Sequence, residues 1–396
     1  MRKYLPFITR TIFILSAVSL LNDVGSEMLY PVMPLFLASI GFSTLGIGIL
    51  EGVAQAVSGL GSMYFGRVSD LVQKRKPFVE LGYAFTAASK LIIGLTKLPA
   101  LVFISRSIDR MGKGVRTGAR DALLSDESTP ENKGKVFGFH RAMDTVGAAI
   151  GPAIALLLLV WFPNQYQKIF LIAFLPGLLS VFLTFFISEK KRDKKPATNK
   201  PTLAGYFSYW KQAPKGYLLI TAGLVFFGLM NSADFFLLLK VKQSGFTDLN
   251  VIEAYIFYNL VYAFGSYPLG DLGDKIGLKK VLIFGLIIFS IVYGGMAIAN
   301  SFIIFVALFF IYGLYSAATD GVTKALLSNL VSKSDTASAI GFYNGCNAIA
   351  ALFASIITGW VWKAYSAEAA FLISAIGALA VAVYLAVLKV AKPVKV

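Results

Sequence analysis

Ionisable residues set inside apolar stretches are the groups in this chain best placed to do chemistry. Asp23 and Glu27, with Asn22 beside them, fall within the apolar run 11–38, and their four-residue spacing puts both carboxylates on one helical face. A denser set fills 98–124: Arg106, Asp109, Arg110, Lys113, Arg116, Arg120 and Asp121, with Asp109, Lys113, Arg116 and Arg120 recurring at three- and four-residue steps. His140, the single histidine, stands one turn before Asp144, with Arg141 next to it. A charge at the centre of a bilayer costs at least about 2.5 kcal/mol, so a stripe of charges must face a polar cavity or other helices. Asp23, Glu27, Asp109 and Asp144 can carry protons, and His140 suits a proton relay because imidazole titrates near neutrality. Asn22, Arg106, Arg110 and Lys113 can hold a solute, and so many cations favour an anionic group on it. Structural alternatives stand beside these. Arg116 to Asp121 can snorkel towards an interface, His140 can serve as a hydrogen-bonding residue, and Arg110 and Lys113 can be counter-ions for Asp109 or Asp144.

The C-terminal half has sparser charges, Asp234, Glu253, Asp320 and Lys324, amid Asn231, Tyr255, Tyr258, Asn259, Tyr262, Asn344 and Asn347. Asn231, Asp234, Tyr258, Asn259 and Tyr262 are expected to line a cavity for an organic molecule, with interhelical hydrogen bonding as the alternative. Tyr312, Gly313, Ser316, Thr319 and Thr323 occupy the places equivalent to Asp109, Arg110, Lys113, Arg116 and Arg120. The scaffold therefore does not itself require those charges.

The elements that position these groups are read from composition. Charged residues make up 15% of the 396 residues and apolar ones 57%, against roughly 25% charged in a soluble chain, and the mean hydropathy is +0.70. Apolar segments long enough to cross a bilayer lie near 11–38, 45–66, 78–96, 98–124, 136–161, 168–188, 216–239, 250–270, 280–299, 301–327, 337–362 and 367–389. The first has no small-residue cleavage site after a short apolar core and reads as a retained helix. The chain also repeats itself. Gly66 and Asp70 recur as Gly270 and Asp274; Ala122-Leu123-Leu124-Ser125 recurs as Ala325-Leu326-Leu327-Ser328; Gly138-Phe139 recurs as Gly341-Phe342. A duplicated bundle of membrane helices, six spans per half, follows. The expected organisation is an N-terminal bundle over 1–188, a basic, proline-bearing linker over 189–215 and a C-terminal bundle over 216–396. The fold class is all-α integral membrane with twelve transmembrane helices.

The net charge of +16 is concentrated in alternate loops. By the positive-inside rule those loops and both termini are cytoplasmic, so the basic surplus reports topology and anionic lipid, and no nucleic-acid partner is expected. The lone Cys346 excludes an intrachain disulfide and a cysteine-rich metal site.

Two motifs carry a resemblance to the major facilitator superfamily of secondary transporters. The run Gly270-Asp271-Leu272-Gly273-Asp274-Lys275-Ile276-Gly277-Leu278-Lys279-Lys280 is similar to that family's cytoplasmic signature. The earlier copy, from Gly66 through Asp70 to Lys74, Arg75 and Lys76, departs from it with Leu71 at the basic position and Gln73 at the glycine. In both copies the glycine permits close helix approach, and the aspartate is expected to face the positive N-terminus of the next helix. Gly66, Asp70, Arg75, Gly270, Asp274 and Lys275 are accordingly expected to gate the cytoplasmic side. Gly138, Gly147, Gly151 and Pro152 have the spacing Gly-x8-Gly-x3-Gly-Pro that the family associates with exporters exchanging substrate for protons, and they join the gating set; Ala155 and Leu156 replace its closing glycine pair. The resemblance, which covers the whole chain, implies the twelve-helix fold and transport by alternating access; a monomer in an inner membrane is expected.

No phosphate-binding loop, histidine pair or other catalytic constellation is found, so an enzyme is not expected, nor a cofactor. The leading expectation is a proton-coupled exporter of a small organic solute or drug with an anionic group. Export of a metal or its chelate, on Asp23, Glu27, His140 and Asp144 as ligands, is the alternative, although no metal signature is present, and a membrane sensor on a transporter scaffold is a minor one.

Overall fold

The computed structural model describes residues 7–30, 32–42, 44–163, 165–189 and 209–389. The basic stretch from Lys190 to Lys200, the rest of the linker to residue 208 and the outermost basic residues of both termini lie outside the described residues.

The described chain is helical: α1 (Arg10–Glu27), α2 (Met33–Ser39), α3 (Thr44–Val72), α4 (Lys76–Leu95), α5 (Pro99–Asp126), α6 (Lys133–Trp161) and α7 (Tyr166–Thr184). After the short α8 (Tyr209–Gln212) come α9 (Lys215–Met230), α10 (Phe235–Gln243), α11 (Asp248–Ile276) and α12 (Leu278–Ile298). α13 (Phe302–Asn329), α14 (Thr336–Ala364) and α15 (Ala367–Val387) complete it. Each of the twelve expected spans coincides with one helix, or with a broken pair: α1–α2 for the first and α9–α10 for the seventh. By length and composition α4, α6, α7, α12, α13, α14 and α15 are clear membrane spans.

Local chemistry sets many of the ends. The Thr9 hydroxyl accepts the Ile12 N–H, Thr247 and Asn250 form a reciprocal capping box, and Ser366 accepts the Ala369 N–H, each satisfying N–H groups that a helix start leaves open. α11 stops at Gly277, whose φ of 108° brings the chain directly into α12. In the equivalent turn Gln73 takes a φ of 54°, so the turn is made without its glycine. The Gln73 side chain then donates to the Asp70 carbonyl at 2.5 Å.

The chain forms two compact units. One comprises residues 1–128, 143–212 and 332–345; the other comprises 129–142, 213–331 and 346–396. The first ten residues of α6 thus belong with the second unit, and the first ten of α14 with the first. Within the first unit α5 packs against α3 and α4, and α7 against α1 and α4. An apolar core of Met28, Val32, Phe36, Leu37, Ile93, Val102, Ile169 and Phe170 encloses the α1–α2 break. Within the second, α11 packs on α13 and α12 on α15. Its core is aromatic, with Phe289 meeting Phe227, Tyr293 and Tyr315 at ring separations of 4.9, 4.0 and 5.0 Å.

Candidate functional site

In the first unit α1 and α5 bring most of the expected charges together, and glycines set the approach of a third helix. A side chain at Gly147 would have its Cβ 2.5 Å from the Leu20 carbonyl, and one at Gly151 would lie 2.7 Å from that of Val24. α6 therefore rides directly on α1. Pro152 sits inside α6, which runs unbroken through it. This contact places Asp144 where Ser19 donates to it at 2.5 Å, and Arg120 donates to the same Ser19 hydroxyl at 3.3 Å. Arg120 also pairs with buried Asp121 at 2.9 Å. The charge at Asp144 is thereby tied to the fourth span through a serine.

Further along α5 the pattern changes from closed pairs to open charge. Arg116 is buried over the Tyr83 ring, 4.5 Å from its centroid, and donates to Thr86 at 2.8 Å. Asp109 receives Arg106 at 3.3 Å and Arg110 at 3.7 Å. Lys113 is exposed, and Asn22 donates to Asp23 at 3.0 Å. The charges acting on Asp23 are Asp144, Glu27, Arg116 and Lys113; those acting on Glu27 are led by Lys113 and Arg110. Among the described residues neither Asp23, Glu27 nor Lys113 closes an ion pair. Two carboxylates on α1 thus confront the cations of α5 with the charge left open.

The signature aspartates depart from expectation. Neither faces the helix that follows it. Asp70 accepts the N–H of Ser338 in the first turn of α14, and Asp274 accepts the N–H groups of Gly134 at 2.7 Å and Lys135 at 2.8 Å in the first turn of α6. The start of α4 is capped instead by Glu189, which accepts from the Arg75 and Lys76 N–H groups at 2.7 and 3.0 Å. The signature glycines make these approaches possible: a Cβ on Gly66 would strike the Ala337 carbonyl, and one on Gly270 the Gly134 carbonyl. Gly138 is held likewise, 2.5 Å from the Ser266 carbonyl to its would-be Cβ. Arg75 is fully buried between Asp70 at 2.7 Å and Asp126 at 3.2 Å. Lys275 and Lys135 both reach Asp271, at 2.7 and 3.0 Å. Lys275 first and Lys135 second hold the Asp271 carboxyl below its ordinary range, and Asp271 holds Lys135 above its own.

The second unit gathers four of the five polar residues expected there. Tyr312 donates to Asp234 at 2.7 Å, Tyr258 meets Ser316 at 3.2 Å and Asn231 donates to Tyr315 at 3.1 Å. Tyr262 donates to Asp320, which pairs with Arg141 at 2.8 Å. Asn259 turns back on its own helix, donating to the Tyr255 carbonyl at 2.9 Å. It stands outside this network. His140 is buried in the part of α6 that belongs to the second unit. Among the described residues no three His, Cys, Asp or Glu side chains gather as a metal-holding group.

Sequence reasoning missed Lys90, Ser19 and the tyrosines of α13. Lys90 is fully buried and donates to Ser26 at 3.1 Å and the Thr86 carbonyl at 3.2 Å. A lysine inside an apolar span was the available signal. Tyr312, Tyr315 and Ser316 recur at three- and four-residue steps and were legible as one polar face; Ser19 carried no signal.

The family model for the Major Facilitator Superfamily matches residues 15–261 and 251–396. An uncharacterized MFS-type transporter of Methanocaldococcus jannaschii is 36% identical over 380 residues, covering 94% of this chain and 93% of that one. A multi-drug resistance efflux pump PmrA homolog of Lactococcus lactis is 23% identical, covering 85% and 86%. Among solved structures, the human organic anion transporter MFSD10 (TETRAN) superposes with a TM-score of 0.78 at 16% identity, covering 95% of this chain and 99% of that one; at that identity the likeness concerns the fold.

Proposed function

The chain belongs to the Major Facilitator Superfamily, and on that footing we propose that this multi-pass membrane transporter is a proton-coupled exporter of a small organic solute carrying an anionic group. The observation that carries the reading is the open charge between α1 and α5: Asp23 and Glu27 act on Lys113, yet no ion pair joins them among the described residues. A carboxylate in that setting changes its ionisation as its hydration and its access to cations change. Proton loss from Asp23 then strengthens the field on Lys113, and an anionic solute competes for the same cation. The protonation state of Asp23 is thereby linked to binding of the anionic group at Lys113, which is what coupling requires.

In this reading Asp23 is the proton carrier, Glu27 passes the proton outward, and Asp144, Asp109 and His140 are alternate acceptors. Arg106, Arg110 and Lys113, with Asn22, meet the anionic group. The name of the efflux-pump relative supports outward transport. The signature residues Gly66, Asp70, Arg75, Gly270, Asp274 and Lys275, with the glycines of α6 and Pro152, serve as the gate. We place the termini in the cytoplasm by the positive-inside rule, the protein in an inner membrane, and the transport unit as a monomer.

The test is reconstitution into proteoliposomes with an imposed pH gradient and a panel of organic anions, neutral compounds, organic cations and metal ions. Gradient-dependent accumulation of organic anions is expected. Accumulation indifferent to the pH gradient, or confined to metal ions, contradicts the reading.

A further inference from the structure

We propose that the second unit binds a sodium ion at the break between α9 and α10. This goes beyond the proton-coupled reading and does not rest on it.

α9 ends at Met230, and residues 231–234 are not helical before α10 starts at Phe235. A helix end leaves its last carbonyls open and carries about half a negative charge. Here the Asn231 N–H serves the Phe227 carbonyl at 3.0 Å, and among the described residues no backbone N–H from beyond the helix reaches Gly228, Leu229 or Met230. The side-chain oxygen of Asn231 is buried with no hydrogen-bond partner, its amide nitrogen being committed to Tyr315. The Asn347 side-chain oxygen is pressed against Gly228. Asp234 adds a carboxylate. These oxygen acceptors lie on or beside the last turn of α9 and the four residues that follow it.

Asp234 accepts hydroxyls from Tyr312, at 2.7 Å, and from Tyr258, but makes no ion pair among the described residues. It does not cap α10, whose first turn receives no side-chain hydrogen bond. The charged groups acting on it are Asp320 and Arg141, and these are paired with each other at 2.8 Å. Asp234 stands at the start of α10, four residues beyond the negative end of α9, and holding a carboxylate ionised inside a span calls for a cation. A set consisting only of carbonyl, amide and carboxylate oxygens suits a hard ion. Broken helices whose end carbonyls coordinate sodium are an established device in transporters. A single carboxylate balances one positive charge, which favours a monovalent ion.

The experiment is thermal melting of the purified chain in lipid nanodiscs, at fixed pH and ionic strength and without solute or gradient, in sodium chloride, potassium chloride and choline chloride. Binding of 22Na+ to the same wild-type preparation is measured in parallel. The expected result is a saturable rise in melting temperature with sodium, smaller with potassium and absent with choline, together with bound 22Na+. Asp234→Asn should lose the sodium increment. Asn231→Ala, which keeps the carboxylate, should weaken the apparent sodium affinity about tenfold or more, and it carries the comparison if the Asp234 variant does not fold. Identical melting in sodium and choline with no bound 22Na+, or an undiminished increment in a folded Asp234→Asn variant, overturns the proposal. Because no pH gradient enters, failure here leaves the proton-coupled reading standing, and the reverse also holds.

Discussion

Asp70 accepts twice from Ser338: the backbone N–H at 2.6 Å and the hydroxyl at 2.8 Å share one carboxylate oxygen, while the other oxygen meets Arg75. Asp274 repeats the helix cap at Gly134 and Lys135, with no buried arginine paired to it among the described residues. Although the first copy departs from the signature at Leu71 and Gln73, its aspartate is the more heavily partnered of the two. Asp70→Asn takes from buried Arg75 one of its two carboxylate partners, Asp126 remaining, a loss of about 1–3 kcal/mol; Asp274→Asn keeps one cap oxygen and should cost under about 1 kcal/mol. Melting of both variants in the same lipid should show the larger drop for Asp70→Asn. The opposite ranking contradicts this account of the two signatures.

The α1–α6 contact predicts a size limit. Gly147→Leu and Gly151→Leu push side chains into the Leu20 and Val24 carbonyls, and overpacking of this kind costs about 1–3 kcal/mol or more. Gly294→Ala, with open space around the new methyl group, should leave melting unchanged within about 0.5 kcal/mol. Equal tolerance at all three positions contradicts close packing of α6 on α1.

Neutralising the cations of α5 separates binding from structure. Lys113→Gln should weaken organic-anion affinity by about tenfold, roughly 1.4 kcal/mol, with little change in melting, since Lys113 is exposed and closes no described ion pair. Arg120→Gln removes a buried partner of Asp121 and should lower melting whether or not solute is present. A stability loss in Lys113→Gln matching that of Arg120→Gln returns Lys113 to a structural role.

The expected pH dependence has a sign. Asp271 has its carboxyl depressed by Lys275 and Lys135, so its stabilising contribution is present above the unfolded value of about 3.9. That contribution fades only as pH falls through the still lower folded value. Asp271→Asn should therefore leave the shape of the transport profile between about pH 5 and pH 8 unchanged. A shifted midpoint in that window would assign the coupling proton to the gate.

What could be read from the sequence divides along physical lines. Long apolar runs fixed twelve spans closely, because hydrocarbon thickness dictates length; the run 280–299, for instance, became α12 at Leu278–Ile298. Helical spacing also predicted that Asp23 and Glu27 would stand together. It could not say which helix end Asp70 or Asp274 serves, because those partners are separated from them by 268 and 140 residues and no local pattern encodes them. Nor could it foresee that Gln73 would take a positive φ where the second copy has Gly277, since only the closed turn imposes it. The breaks after α1 and α9 were invisible to hydropathy, which averages across them.

The proposed function turns on Asp23, and the most direct measurement compares wild type with Asp23→Asn in proteoliposomes, reading pH-driven accumulation and downhill exchange of the same solute. The predicted result is that Asp23→Asn keeps solute binding and downhill exchange but loses accumulation against a gradient. Full pH-driven accumulation in Asp23→Asn contradicts the assignment and moves the carrier to Asp144 or Asp109.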